Sequence, residues 1–564
     1  MRNELSWNSR RWVATLLSVI PGLGQAFTGR WSAAVTFFVF GLTPFLFLGF
    51  IWRQPDGDSY LLWREFNVGH SIMWAFLFVA WVINLVDTWR GSKPPTAPCI
   101  EACPGRIEIP VYINLLLEKR YRDAHELILR RTPLVATLGH VCHHPCESKC
   151  TRATFDEPVA ICPLKAVIGN RMIADGELPK IAAPAPLRKE LRVAVIGSGP
   201  AGLSAAFFLA RLGIRPTVFE SLPKAGGMLV AGIPAYRLPR AVLEAEIDFI
   251  RSQGVEILTA THVGRDVPMA ELWSRGYKAV LAAPGTHRDT PLRIKGEELD
   301  GVLGGAAFLR GVNLGSVTSI DGEVVVIGGG NVAMDAARCA LRLGASRVTV
   351  LYRRSRREMP ANPWEIREAE EENIVFRFLT APAAIVGSGS VEGIECLEMR
   401  LGEPDASGRR RPEPLPGSEF VVPCRHVIAA IGLAPETAFL EGDGVRLDKS
   451  GLILLAGRTL ATHRPSLFAA GDAVTGPSSV IGASAQGRQA ALELFRHLSG
   501  HPGYVFRTIK AGATSCDFAT RPRVPQKALR ADDRTGSFAL IHKVYDEELC
   551  TQEGRRCLRC DLEM

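Results

Sequence analysis

The sequence predicts an α/β protein. Two βαβ units are expected, behind a helical cysteine-rich module and an N-terminal apolar helical hairpin. Three observations carry that expectation. Strand-length apolar runs end in glycine-rich turns at Gly197 and Gly328, and each leads directly into an alanine-rich helix pattern. Six cysteines fall between Cys99 and Cys162. Two nearly charge-free runs, Trp31–Trp52 and Ser71–Val86, precede them.

With 564 residues the chain has room for about three or four domains. Hydrophobic content of 47% and charged content of 22% fit a mostly globular protein with an extra apolar part. The net charge of +8 is mild for this length, and no basic stripe with interleaved aromatics is present, so nucleic acid is not an expected partner. Of the 13 cysteines, Cys339, Cys396, Cys424, Cys516 and Cys550 are scattered, while the others cluster. Clustered cysteines in an intracellular redox protein point to metal or cluster ligation before disulfides.

Residues 1–92 read as a membrane module with spans at about 31–52 and 71–89. Trp31, Trp52, Arg53, Trp89 and Arg90 suit interfacial anchors, and Pro44 is tolerated where neighbouring helices satisfy the freed carbonyl. Arg2, Arg10, Arg11 and Arg30 precede the first span, and Arg90 and Lys93 follow the second. Both ends, and the domains after them, are therefore expected on the cytoplasmic side of a membrane. Residues 5–28 read as an interfacial segment; a secretory signal fits poorly because Pro21-Gly22-Leu23-Gly24 breaks the apolar stretch. Ile20–Gly29 with the two runs after it resembles small two-helix membrane modules with a PGLGQ-type motif.

Residues 93–185 hold Cys99-x₃-Cys103-Pro, then Cys142-His-His-Pro-Cys146-x₃-Cys150, then Cys162-Pro. Closely spaced thiolates followed by proline suit iron–sulfur ligation. Zinc satisfies the same counts, buried structural cysteines are the bland alternative, and His140, His143 and His144 stand nearby.

The turn Gly197-Ser-Gly199-Pro-Ala-Gly202 follows an apolar strand, and the next strand closes on Glu220. Gly197 permits the tight turn, Gly199 lets the backbone approach a pyrophosphate, and Gly202 lets helix and strand pack. The phosphates sit on the helix N-terminus, and the Glu220 carboxylate falls where a ribose hydroxyl would be held. The second unit carries Gly328-Gly-Gly330-Asn-Val-Ala333, with Ala333 in place of the third glycine, and its second strand ends on Arg353-Arg354 rather than an acid. A guanidinium there suits the 2′-phosphate of NADP, whereas NAD sites take a carboxylate, so NADPH is expected over NADH.

Residues 95–500 resemble the small (beta) subunit of NADPH-dependent glutamate synthase and the N-terminal half of dihydropyrimidine dehydrogenase. The resemblance rests on the Cys-x₃-Cys-Pro pair, VCHHPCESKC, DEPVAI, the glycine turn at 197, and Gly226–Arg240. It implies a two-dinucleotide-binding-domain flavoprotein behind a helical iron–sulfur domain, with the NADP domain inserted in the FAD domain. The expected boundaries are 93–185 for the cluster domain, 186–310 and 426–500 for the FAD domain, 311–425 for the NADP domain and 501–564 for a tail. The first turn then takes FAD, because the arginine-ended second turn takes NADP. Gly226, Gly227 and Gly232 are implied against the flavin, with Gly285 closing back on it. Gly471-Asp472 forms a late FAD signature, and the helix at Ile481 faces the flavin's pyrimidine end.

The same resemblance implies two [4Fe–4S] clusters, but the Cys-x₂-Cys pair that precedes the position of Cys99 in the family is absent. Cys557-Leu-Arg-Cys560 at the chain end resembles it. The expected ligands are Cys557, Cys560, Cys99 and Cys150 for one cluster and Cys103, Cys142 and Cys146 for the other. The family's last ligand, a Glu or Gln, aligns with Lys165, which cannot ligate as a cation, so Cys162 becomes the candidate. A relic C-terminal pair and a single cluster is the alternative.

The expected function is membrane-anchored electron transfer from NADPH through FAD and the clusters to a partner protein or membrane acceptor, with no acid–base catalytic residue assigned. Three other readings compete. One is the small subunit of a glutamate synthase-type complex. Another is a disulfide reductase, which lacks a cysteine pair after either glycine turn. The third is a nucleotide-binding membrane sensor without turnover.

Overall fold

Proline and glycine placement explains the first helices. The computed structural model describes residues 97–178, 190–405, 408–501, 511–512 and 519–562, with Val82 and Ile509. The cysteine-rich module comprises α1 (Pro98–Ala102), α2 (Ile109–Leu117), α3 (Tyr121–Leu129), α4 (Val135–Val141) and α5 (Ile161–Ala174). Pro98 and Pro110 stand in first turns, where a missing N–H costs nothing. A Cβ on Gly139 would lie 2.4 Å from Ala166 Cα, and one on Gly169 2.4 Å from Ala136 Cα, so α4 and α5 cross in backbone contact.

The α/β part runs β1 (Arg192–Ile196), α6 (Pro200–Arg211), β2 (Arg215–Phe219), α7 (Arg240–Ser252), β3 (Glu256–Leu258) and β4 (Ala279–Ala282). It continues through β5 (Val302–Gly304), β6 (Glu323–Ile327), α8 (Asn331–Arg342), β7 (Arg347–Tyr352), α9 (Pro363–Glu371) and β8 (Val375–Phe378). It ends with β9 (His426–Ala429), β10 (Leu467–Ala469), α10 (Val480–Ser499) and α11 (Glu547–Gly554). One parallel sheet has the order β10-β4-β1-β2-β3 and the other β5-β9-β6-β7-β8. Strands β1, β2, β4, β6, β7, β9 and β10 are mostly buried apolar runs, as helix-covered parallel sheets require, while the edge strands β3, β5 and β8 are only partly buried. The second sheet lies in the chain between β4 and β10, so its half is an insertion in the first.

The sheets move two expected boundaries. β5 precedes residue 311 and β9 follows 425, yet both pair in the second sheet, where Val427 opposes Val325 and Val302. The run 426–429 was expected to return to the first half; a short apolar strand does not reveal which sheet receives it. An antiparallel pair, Thr286–Asp289 with Leu433–Pro435, links the halves. Arg237 ties them further, bonding Asp335 at 2.6 Å and Glu365 at 2.7 Å. The expected spans at 31–52 and 71–89 lie outside the described residues, Val82 apart. No described helix is long and apolar enough to cross a membrane.

Candidate functional site

At the first turn, Gly197 has φ 97° and a Cβ on Gly202 would lie 1.9 Å from Gly197 O, so helix α6 starts in contact with the turn. A Cβ on Gly199 meets nothing within 4 Å, leaving the space a pyrophosphate needs at the N-terminus of α6. Gly226 and Gly227 have φ of 128° and 55° and fold the chain back until Gly227 abuts Gly199. Gly232 closes the short helix Met228–Ala231, and Gly285, at φ 73°, follows β4. Glu220 ends β2 almost fully buried. It accepts from Ser198 N–H at 2.9 Å, Ser198 Oγ at 2.5 Å and Leu222 N–H at 2.7 Å. Its carboxylate lines a cavity shared with Gly197, Gly199, Gly227 and His287, and its remaining lone pairs suit a hydroxyl donor. Gly471 N–H donates to Gln486 Oε1 at 2.7 Å, and Asp472, its pKa pushed up by burial, accepts from Ser478 Oγ at 2.8 Å.

The second turn repeats the geometry. Gly328 has φ 145°, a Cβ on Gly330 meets nothing within 4 Å, and Ala333 is fully buried where the third glycine would stand. The two arginines part company. Arg353 is exposed and makes no side-chain bond among the described residues. Arg354 is buried, paired with Asp405 at 2.7 Å, and donates from Nε to Arg410 O at 2.8 Å. Of the two expected phosphate ligands, Arg354 is thus committed to Asp405 and Arg410, and Arg353 is exposed.

The cysteines form two quartets. Cys99, Cys150, Cys557 and Cys560 line one void with Ile109, Ile113 and Leu558, so the chain end meets the first cysteine of the module. Cys103, Cys142, Cys146 and Cys162 all lie close enough to the buried Lys165 to act on its charge, and any thiolate among them favours its ammonium form. Cys162 Sγ donates to Gly139 O at 3.2 Å and Leu138 O at 3.4 Å, at the C-terminal end of α4. Burial raises the thiols of Cys99, Cys146 and Cys162 far above their ordinary value and that of Cys557 to about 12. Thiolates at these depths need a bound cation. Among the described residues no three ligating side chains converge as one metal ion requires. A tetrahedral zinc would draw its sulfurs to within roughly 4 Å of one another. The void between Cys99, Cys150, Cys557 and Cys560 suits a larger body, as an iron–sulfur cluster is.

Several residues without sequence-level roles also shape the site. Ser198 occupies a variable position of the turn, yet its hydroxyl donates to Glu220 and accepts from Gly226 N–H. A hydroxyl chain, Thr132–Ser484–Ser204 at 2.8 and 2.6 Å, joins the cysteine module to α10 and α6. Asp156 of the DEPVAI stretch receives Arg152 at 2.6 Å and Arg556 at 2.8 Å, and the Arg152 guanidinium holds its carboxyl well below the usual range. Nothing local signalled these partners, because most lie far away in sequence.

Comparison with known proteins agrees with this geometry. Residues 191–487 match the pyridine nucleotide-disulphide oxidoreductase family, and residues 86–177 match the dihydropyrimidine dehydrogenase domain II, 4Fe-4S cluster family. The chain is 41% identical over 502 residues to the NADP(+)-dependent formate dehydrogenase subunit beta of Moorella thermoacetica, covering 82% of this chain and 70% of that one. It is 38% identical over 533 residues to the NADPH-Fe(3+) oxidoreductase subunit beta of Geobacter sulfurreducens, covering 86% and 78%. It is 36% identical over 412 residues to the glutamate synthase [NADPH] small chain of Escherichia coli, covering 70% and 87%. The chain belongs to the pyridine nucleotide-disulphide oxidoreductase family and is an NAD(P)H-dependent oxidoreductase with FAD, NADPH and [4Fe–4S] clusters as its cofactors.

Proposed function

We propose that this chain passes electrons from NADPH through FAD and two [4Fe–4S] clusters to a partner subunit, held at a membrane by spans 31–52 and 71–89. NADPH supplies a hydride, FAD exchanges electron pairs for single electrons, and the clusters carry single electrons. The observation that carries the reading is the quartet of Cys99, Cys150, Cys557 and Cys560 around one void, beside a second quartet of Cys103, Cys142, Cys146 and Cys162.

FAD is assigned to Gly197, Gly199, Gly202, Glu220, Gly226, Gly227, Gly232, Gly285, Gly471 and Asp472. NADPH is assigned to Gly328, Gly330, Ala333 and Arg353, with Arg354 bracing the loop through Asp405. Two contacts support placing the Cys103 quartet nearer the flavin. A Cβ on Gly105, two residues past Cys103, would lie 2.8 Å from Ile481 Cδ1 at the start of α10, and Thr132 bonds Ser484 in the same helix. The partially exposed Cys150, Cys557 and Cys560 favour the other quartet as the exit.

Two relatives are named as beta subunits of larger enzymes, which supports a partner subunit as acceptor. The charge-free runs flanked by basic residues support the membrane anchor, with the described domains on the cytoplasmic side. A glutamate synthase-type partnership is the second reading, favoured by the small-chain relatives. Co-purification of a large glutamine-dependent subunit would favour it over the first.

The function is tested by adding NADPH anaerobically to the full chain and following flavin absorbance and low-temperature EPR together. Flavin bleaching with reduced-cluster signals is expected. Bleaching with no cluster reduction would refute the relay.

A further inference from the structure

The chain end does more than deliver two cysteines. Its described part from 519 to 561 contains a hairpin: Leu529 N–H donates to Ile541 O at 3.0 Å, and Lys543 N–H donates to Lys527 O at 2.9 Å. The hairpin tip lies on the NADPH half. Ile541 is 1% exposed within that half's core, and its N–H donates to Tyr236 O at 3.0 Å. Phe538 meets the Tyr236 ring at 6.2 Å. Arg534 pairs with Glu371 at 2.8 Å, His542 with Glu368 at 2.5 Å, and Arg342 donates to Ser537 O at 3.1 Å. Tyr236 and Arg237 are among the residues by which the flavin half grips the NADPH half, so the tip closes over that joint.

The base of the hairpin is anchored at the cysteine module. Glu553, fully buried, accepts from Ala160 N–H at 2.7 Å and Val524 N–H at 2.8 Å. Arg556, 1% exposed, donates to Asp156 at 2.8 Å and to Glu157 O at 2.6 Å. Cys557 is the next residue, and it faces Cys99 and Cys150 across the void. Between tip and base the described residues leave a cavity of about 960 Å³, with His140 on one wall and Glu365 on the other. Among the described residues one ring contact crosses it, His144 stacked on Trp364 at 4.6 Å, and the hairpin spans the rest.

We propose that this hairpin is a positioning strap through which the Cys99–Cys150–Cys557–Cys560 site holds the NADPH half against the flavin half. Losing the cluster at that site then weakens NADPH binding, although the site lies downstream of the flavin. The inference rests on the two-cluster reading above. Its physical basis is ordering: with Cys557 and Cys560 ligated, the strap is fixed at its base and its tip reaches the joint already organised. With both ligands lost, the base keeps only its Glu553 and Arg556 bonds, the chain beyond Arg556 is no longer fixed, and the joint that the tip braces loosens.

The test uses the full chain with FAD and clusters, comparing wild type, Cys557→Ser/Cys560→Ser, and a tip variant, Phe538→Ala/His542→Ala. Iron per FAD and the apparent Kd for NADPH, read by anaerobic stopped-flow flavin bleaching, are measured for each. The cysteine variant is expected to keep its FAD, lose about half its iron and bind NADPH about fivefold or more weakly. The tip variant is expected to keep its iron and show the same weakening. Halved iron with an unchanged Kd would overturn the strap while leaving the two-cluster reading intact. Unchanged iron in the cysteine variant would overturn both. A tip variant that binds NADPH normally would overturn the strap whatever the iron content.

Discussion

Arg353 and Arg354 are neighbours in sequence and opposite in placement. Both follow the end of β7; Arg354 is buried in the Asp405 contact while Arg353 is exposed. Replacing Arg353 with Ala should raise KM for NADPH about tenfold and leave KM for NADH nearly unchanged, a loss of about 1.4 kcal/mol. Replacing Arg354 with Ala should instead lower thermal stability, because Asp405 and Arg410 O lose a shared donor, at about 1–3 kcal/mol. Steady-state kinetics with both nucleotides and a melting curve separate the two effects. A KM rise confined to the Arg354 variant would reverse the assignment. At this scale the glycines were legible, since their geometry is dictated by the turn itself. The choice between two adjacent arginines was not, because it depends on a hairpin more than 50 residues onward. The same holds for Cys162: its spacing from the other thiols could be read, but not that Leu138 and Gly139 carbonyls would receive its S–H.

Among the elements, α4 is held to the flavin half by a buried carboxyl group as well as by packing. Glu246 of α7 is buried and accepts from Ala136 N–H at 2.6 Å and Thr137 N–H at 3.0 Å, capping the helix N-terminus from outside. Burial outweighs those bonds and pushes its carboxyl up to about 7 from an ordinary value near 4.5. Between those values the folded protein keeps a proton that the unfolded chain has released. Stability from this group therefore falls as pH rises through the window, by at most about 1.4 kcal/mol per pH unit. Glu246→Gln should flatten that slope in urea melts taken at pH 5 and pH 8, and an identical slope in both proteins would contradict the account. Neither the cap nor the sheet membership of β9 was legible, since each depends on a partner brought near only by the fold. The strand–turn–helix order around both glycine turns was legible, because each signal lies within a few residues of the next.

For the whole molecule, the two ends of the described unit meet. Cys99 stands almost at its start and Cys560 almost at its end, and the buried Arg556 network fixes the return. The two-residue spacing of the last cysteines hinted at this closure, and the resemblance named its purpose. The hairpin that precedes them and reaches the NADPH half had no sequence signal, since its partners are single side chains on distant helices. The N-terminal module would hold this relay beside a membrane. Full-length protein is therefore expected to sediment with anionic vesicles, while a chain lacking residues 1–92 stays in the supernatant. Co-sedimentation of both, or of neither, would contradict the anchor. The central claim is that the chain end completes a second cluster. Iron and acid-labile sulfide per FAD in the full chain and in Cys557→Ser/Cys560→Ser test it most directly. About eight iron atoms per FAD falling to about four is the predicted result, and an iron content that the double substitution leaves unchanged would contradict it.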